Sequence, residues 1–191
     1  MVKEPRPGRV KTRLARDVGT VAAARWFRHQ ALSLVRRLRD PRWDLVLAVS
    51  PDAEGMASRA WPPDLPRIPQ GRGDLGARMA RILRGLPPGP VCIVGADIPG
   101  ITRARVAEAF AALGRAPSVV GPAPDGGYWL IGLRRARVPA GLLEGVRWST
   151  RHARADTEVT LEGPVAHAAS LRDVDGIADL AALGMARPHA S

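Results

Sequence analysis

The sequence predicts a three-layer α/β/α domain with a mostly parallel sheet and antiparallel additions in its C-terminal third. Short apolar runs alternate with longer stretches whose apolar residues recur at helical spacing, a pattern typical of α/β proteins. The apolar runs, such as residues 45–49 and 91–94, are far too short to cross a bilayer. Because 191 residues can bury a sizeable core, we expect one domain over residues 1–191, with a flexible tail from about residue 185.

The first half of the chain alternates between predicted helix and predicted strand. Apolar residues such as Phe27, Ala31 and Leu34 recur at helical spacing, so most of residues 13–40 is predicted as helix. The following elements, in chain order, are a buried strand at 44–50, a Pro-rich connection at 51–69, a helix at 75–86 and a buried strand at 91–95.

The second half begins with a predicted helix at 102–113, with Thr102 or a neighbour as its N-cap. Asp125-Gly126-Gly127 between two apolar runs predicts a hairpin, which supplies the antiparallel addition. The remaining predicted elements are strands at 118–122 and 128–133, a polar helix near 150–161, a strand at 165–171 and a helix at 177–183.

The net charge of +11 comes from 29 basic and 18 acidic residues, and all but two of the basic residues are Arg. This bias is typical of a GC-rich genome, so the charge is weak support for a nucleic-acid partner. The Arg-rich stretch at 25–42 is better explained as a solvated helix face. The two lysines, Lys3 and Lys11, are more informative, because an ammonium and a guanidinium are not interchangeable.

Cysteine usage and the N-terminal residues favour a cytoplasmic protein without a membrane partner. Cys92 is the only cysteine, so an internal disulfide is excluded. The first residues are rich in Pro, Arg and Gly and do not resemble a secretory signal.

The first candidate motif is the basic loop at 3–14. Its cations surround Gly8 just before a helix, and such a loop offers backbone N–H groups and point charges to phosphate. An ordinary basic surface loop is the competing interpretation.

Acidic residues form the second candidate motif. Asp97 directly follows a predicted central strand, where ligands bind in α/β sheets, and a carboxylate there suits magnesium. Asp173 and Asp175 could complete such a site. The competing interpretation is helix capping, by Asp97 before Thr102 and by Asp175 before the last helix.

Two glycine-rich segments are further candidates. The glycines at 126–127 could let a ligand approach the backbone, with Asp125 as a polar contact and Tyr128 or Trp129 as a wall, although a plain hairpin is the simplest explanation. The segment at 70–79 holds three glycines that could accept a phosphate or a base.

Six segments in order resemble a bacterial family of uncharacterised GT-A-like transferases, which belongs with the nucleotide-diphospho-sugar transferases. They are PRPGRVKTRL, QGRGDLGARM, GADIPG, GPAPDGGYWLIGL, WST and the DVD before the last helix. The resemblance covers roughly residues 3–183 and implies a GT-A (Rossmann-like) fold. Family members are often assigned as glycosyltransferases, some linked to arsenosugar synthesis and radical-SAM clusters. More distant similarity is to the molybdenum cofactor and phospholactate guanylyltransferases.

The resemblance also implies a role for each matching residue. Lys11, Asp97 and Asp125 would be catalytic, with magnesium or manganese held by Asp97 and Asp175. The other implied roles are phosphate binding by Gly8, Arg9, Lys11 and Arg13, base recognition by Gln70, Gly71 and Gly73, and acceptor or sugar contacts by Asp125, Gly126, Gly127, Tyr128 and Trp148.

Two departures from the family pattern stand out. Only Met1 and Val2 precede the basic loop where an apolar first strand is normal, so we expect that strand to be truncated and the natural start to lie upstream. The usual Thr-Pro-Glu-Asp before the last helix is replaced by residues 176–179, which predicts a weaker helix cap and a less certain role for Asp175.

Three functions follow in order of support. The first is a metal-dependent transferase that passes the glycosyl group of a nucleotide sugar to a small acceptor. The second is a nucleotidyltransferase that joins a nucleoside triphosphate to a phosphorylated acceptor and releases pyrophosphate. A nucleic-acid-binding module comes third and has the least support.

Overall fold

Helices and strands alternate along the chain as the sequence predicts. A computed structural model describes residues 1–135 and 138–184, so the predicted tail from about residue 185 lies outside the described residues. The described elements are β1 (Val2–Lys3), α1 (Leu14–Val18), α2 (Thr20–Arg37), β2 (Leu47–Ser50), α3 (Asp52–Ala57), β3 (Arg67–Pro69), α4 (Leu75–Gly85), β4 (Val91–Val94), α5 (Arg103–Leu113), β5 (Ser118–Pro122), β6 (Tyr128–Leu133), α6 (Ala153–Val159), β7 (Val165–His167) and α7 (Ile177–Ala182).

The described residues form two compact units, and the prediction of a single domain stays a prediction. The first unit contains Met1–Pro69, Ala96–Gly100 and the chain from Arg172. The second unit contains Gln70–Gly95 and Ile101–Leu171. The short segment Ala96–Gly100 therefore belongs to the first unit although its neighbours on both sides in the chain belong to the second.

The first unit is built on a parallel sheet with the order β1-β2-β3. Although β1 has only two residues, Val2 pairs with Val49 of β2. Val2, Val49 and Ala96 share a buried core with residues of α2, among them Phe27. Folding thus buries apolar side chains from one face of α2 against those of the sheet. This hydrophobic burial is the main contribution to the stability of the unit.

Two predictions in this unit need correction. The single helix predicted over 13–40 is divided, because Gly19 adopts a φ of 85° that ends α1 before α2 begins. The Pro-rich connection predicted at 51–69 contains α3 and β3. Acidic residues in the first turn of α3, Asp52 and Glu54, favour a helix there, and Pro69 is tolerated because β3 lies at the sheet edge.

The second unit is built on a mixed sheet with the order β4-β6-β5-β7. β6 runs antiparallel to both β4 and β5, whereas β5 and β7 are parallel, so the predicted antiparallel additions are confirmed. Val119, Trp129 and Leu130 are at most 1% exposed and form the centre of this core. Thr102 caps α5 by accepting a hydrogen bond from the N–H of Arg105, as predicted.

Several elements are shorter than the sequence predicts. β7 ends at His167 instead of residue 171, although the N–H of Leu171 still donates to the carbonyl of Pro122. α6 begins at Ala153, after a turn that the Thr150 hydroxyl stabilises by accepting from the N–H of His152. Over residues 1–135 and 138–184, none of the helices is both long enough and apolar enough to traverse a bilayer.

Candidate active site

The basic loop between β1 and α1 has a constrained backbone. Gly8 and Lys11 both adopt left-handed conformations, with φ values of 76° and 46°. Such a conformation costs a residue with a side chain roughly 1–2 kcal/mol, so the surroundings of Lys11 must stabilise it. Val10 and Leu14 are buried on either side of this loop position and anchor it in the core.

The side chain of Lys11 is only 6% exposed and lies between two carboxylates. Its Nζ is 2.5 Å from an oxygen of Asp97 and 3.5 Å from an oxygen of Asp175. Arg13 completes the arrangement, with Nη1 2.5 Å from the other oxygen of Asp175. We call these four side chains the charge cluster. A buried ammonium is strongly unfavourable unless it is paired, so the two carboxylates stabilise Lys11 in this position.

The formal charges of the charge cluster cancel. Lys11 and Arg13 carry two positive charges, and Asp97 and Asp175 carry two negative charges. The amine of Met1 also interacts with Asp97, and burial lowers the pKa of this amine to about 6, against the opposing attraction of that carboxylate. At neutral pH this amine is mostly uncharged and adds little to the balance.

The residues on either side of Asp97 in the chain are buried and hold it in place. Ala96 and Ile98 are 6% and 5% exposed, so Asp97 projects from between two core residues. Arg37, in the last turn of α2, donates a hydrogen bond from Nη2 to the carbonyl of Pro99 at 3.0 Å. Sequence reasoning missed Arg37, because no local pattern links a helical arginine to a loop far along the chain.

Asp175 is held by the start of α7. The carboxylate of Asp179 accepts hydrogen bonds from the backbone N–H groups of Asp175 and Gly176, at 3.0 and 2.9 Å. The weaker cap stays a prediction, because the N-cap residue Gly176 has no side chain to accept from the helix, while Asp179 at the third helical position supplies the other half of a capping box. The alternative that Asp175 caps α7 is wrong, because its carboxylate binds Lys11 and Arg13.

Two other cations of the loop have a different partner. Arg6 and Arg9 both pair with Glu54 of α3, at 3.0 and 3.1 Å. Their side chains are 54% and 58% exposed, so these pairs are weak and can exchange partners. Glu54 is a second contributor that sequence reasoning missed.

The two carboxylates of the charge cluster suit a magnesium ion. Asp97 and Asp175 are 32% and 38% exposed, so their hard oxygen atoms remain accessible. Magnesium takes one or two carboxylates and completes its shell with water and phosphate. Within residues 1–135 and 138–184 there is no group of three or more His, Cys, Asp or Glu that could hold a metal. Any metal here would depend on other ligands, such as phosphate, to fill its shell.

In the second unit, the predicted Asp-Gly-Gly turn is stabilised by its own side chain. Asp125 accepts a hydrogen bond from the N–H of Gly127 at 2.9 Å, and Gly126 has a φ of 87°. A Cβ atom on Gly126 would collide with the backbone of Arg151. The backbone of Arg151 thus occupies the space that Gly126 leaves by having no side chain.

Tyr128 and Trp148 form an aromatic pair, with ring centroids 6.4 Å apart and an interplanar angle of 65°. Burial raises the pKa of Tyr128 well above its usual range, and its hydroxyl accepts a hydrogen bond from Thr157. A Cβ on Gly76 would lie 2.9 Å from the Trp148 ring, so the ring packs directly on the start of α4. The structure therefore brings together three of the predicted motifs of this unit.

Arginines hold the glycine-rich loop before α4. Arg81 donates to the carbonyls of Gln70 and Arg72, at 2.8 and 2.9 Å. Gly71 has a φ of 79°, and its missing side chain leaves room for the Arg81 guanidinium. Gln70 is only 4% exposed. Hydrogen bonds to its backbone and the close packing of Arg81 therefore hold this loop.

Comparisons with known proteins agree with this architecture. The model of a family described as "Uncharacterized protein conserved in bacteria (DUF2064)" matches residues 33–150. A solved structure, that of a "putative nucleotide-diphospho-sugar transferase" from Desulfovibrio desulfuricans G20, is 31% identical and superposes with a TM-score of 0.85. The match covers 95% of this chain and 83% of that chain. No curated protein is significantly similar.

The chain therefore has the nucleotide-diphospho-sugar transferase fold, and the similarity supports a transferase at the general level. It belongs to the bacterial family DUF2064. The region that the family model matches contains Asp97 but neither Lys11 nor Asp175. Three members of the charge cluster, Lys11, Arg13 and Asp175, thus lie outside the matched part.

Proposed function

We propose that this protein is a metal-dependent transferase that binds a nucleotide sugar and passes its glycosyl group to a small acceptor. The charge cluster is the observation that carries this proposal. It joins two accessible carboxylates to two cations within one unit, which is the combination that a metal-bound diphosphate requires.

The proposed chemistry is mainly charge stabilisation. As the glycosidic bond breaks, negative charge grows on the leaving diphosphate, and Lys11 and Arg13 would stabilise it as hydrogen-bond donors. Asp97 and Asp175 would hold magnesium or manganese, which acts as a Lewis acid on the phosphate oxygens when it is bound.

Further roles follow from the family resemblance. The loop with Gln70, Gly71 and Gly73, which Arg81 holds through two hydrogen bonds, would contact the base. Asp125 and Tyr128, with Trp148, would contact the sugar or the acceptor. A small-molecule site of this kind needs few polar groups on an apolar wall, and the Tyr128–Trp148 pair offers such a wall.

Nucleotidyl transfer is the second candidate function. Arg6 and Arg9 pair with Glu54 only through exposed, weak ion pairs, so both arginines can exchange that partner for a further phosphate. A triphosphate needs such additional positive charge.

Product analysis tests the proposal. Purified protein is incubated with a panel of nucleotide sugars or nucleoside triphosphates, with and without magnesium, and thermal shift identifies the nucleotide that binds. The expected result is the release of free nucleoside diphosphate from a sugar nucleotide. Release of pyrophosphate from a triphosphate would instead identify the reaction as nucleotidyl transfer.

A pair of matched variants localises the metal. Asp97→Asn should abolish the metal-dependent part of nucleotide binding. Asp64→Asn is the control, because Asp64 is a surface carboxylate of the same unit that pairs with Arg39. Unchanged metal dependence in Asp97→Asn would assign the metal to another carboxylate.

A further inference from the structure

Lys11 lies between two carboxylate oxygens that a metal shared by the two aspartates would use. Its Nζ contacts oxygens of both Asp97 and Asp175 and is shielded from solvent. A divalent ion that uses the same two oxygens, at about 2.0–2.1 Å each, cannot bind while the ammonium stays between them. The lysine and the metal therefore compete for one place.

The charge balance adds to this competition. Because the four side chains of the charge cluster are formally neutral together, a bare divalent ion would add two positive charges beside Lys11 and Arg13. A nucleoside diphosphate brings negative charge of similar size. Metal and diphosphate together leave the balance nearly unchanged, whereas the metal alone does not.

The identity of the residue fits such an exchange. The chain uses Arg at 27 of its 29 basic positions, yet the buried position carries Lys. A guanidinium is a rigid fork, whereas an ammonium is a compact charge on a flexible four-carbon stem. Lys11 can thus leave the carboxylates and bind a phosphate oxygen without rebuilding the loop.

We propose that Lys11 is a built-in substitute for the metal, so that the divalent ion enters the site only together with the diphosphate of the substrate. This inference rests on the proposed function, in which Asp97 and Asp175 are metal ligands. Phosphate draws Lys11 away, and the vacated oxygens then receive the metal. By linkage, metal and nucleotide each increase the affinity for the other.

The test measures Mn²⁺ binding by electron paramagnetic resonance titration of the nucleotide-free protein. Lys11→Met should bind Mn²⁺ at least tenfold more tightly than the unmodified chain. Lys11→Gly is a second variant, because glycine accepts the left-handed φ of 46° without strain. Lys3→Met removes the chain's other lysine and should leave Mn²⁺ affinity unchanged, which excludes a general effect of net charge.

A double variant assigns the gained affinity to the cluster. Combining Lys11→Met with Asp97→Asn should abolish the gain. Equal Mn²⁺ affinity in the unmodified chain and both Lys11 variants, or a gain that survives Asp97→Asn, would overturn the inference. No nucleotide is present in these titrations, so their outcome is separate from the product analysis that tests glycosyl transfer.

Discussion

The carboxylate of Asp179 accepts a hydrogen bond from the backbone N–H of Asp175, and the two atoms are 3.0 Å apart. The residue that caps α7 therefore also fixes the backbone of a member of the charge cluster. Asp179→Ala should lower the free energy of unfolding by about 1 kcal/mol, the usual cost of losing a cap. Urea denaturation measures this loss, with the exposed Asp44→Ala as control. Equal effects of the two substitutions would contradict the capping role.

The carboxylate of Asp179 also makes the stability of the folded protein depend on pH. Burial acts to raise the pKa of Asp179, but hydrogen bonds from Gly176, Asp175 and Arg172 outweigh it and lower the pKa. A lowered pKa stabilises the folded state above the unfolded pKa of about 3.9, and this stability is lost as the pH falls through the folded value. The difference in stability between the unmodified chain and Asp179→Ala should therefore shrink below about pH 4. Denaturation curves across the acid range measure it, and a constant difference would contradict the assignment.

Arg37 provides a test of how the Asp97 segment is positioned. Loss of its hydrogen bond to Pro99 should reduce metal-dependent nucleotide affinity by about tenfold, as is typical when a residue behind a ligand is removed. Arg37→Met is compared with Arg36→Met, the exposed neighbour on the same turn. Calorimetry with and without magnesium measures the effect. Equal losses in both variants would show that Arg37 has no specific positioning role.

Substitutions at Gly126 and Gly145 distinguish backbone strain from steric collision as costs of adding a side chain. Both have left-handed φ values, 87° and 70°, but only a Cβ on Gly126 meets the backbone of Arg151. Gly145→Ala should cost about 1 kcal/mol of stability from backbone strain alone. Gly126→Ala should cost more than twice as much, because the turn or α6 must also shift. Similar denaturation midpoints for the two variants would contradict the close approach.

Cys92 should be inert in the folded protein. Burial raises the pKa of its thiol to about 12, so at pH 8 only about one molecule in ten thousand carries the reactive thiolate. Alkylation by iodoacetamide at pH 8 should therefore be slow under native conditions and fast in denaturant. Mass spectrometry follows the reaction at this single cysteine. Equally fast modification in both conditions would show that the thiol is accessible.

Local patterns were sufficient for most of the fold. The bounds of β5 and β6 match the prediction, because apolar strands flanking Asp-Gly-Gly are a purely local signal. α4 also begins at the predicted residue, Leu75, after the cap residue Asp74. α3 was missed because its six residues are too few to show helical periodicity among prolines.

The candidate site was predictable only in part. The basic loop, Asp97 and Asp175 are candidates from their positions in the sequence, and the family resemblance adds their individual roles. The structure places Lys11, Arg13, Asp97 and Asp175 in contact. Their supporting residues were not predictable, because the bonds of Arg37 to Pro99 and of Arg9 to Glu54 join positions 62 and 45 residues apart. Such pairs depend on how the chain folds back on itself, which spacing and composition do not encode.

The first unit is made of three separate stretches of chain, and each contributes to the charge cluster. During synthesis, at about 5–20 residues per second, Lys11 is made first, then Asp97, and Asp175 last of the three. A nascent chain therefore carries Lys11 and Asp97 for several seconds before Asp175 can reach them. A fragment that stops before residue 172 cannot assemble the charge cluster.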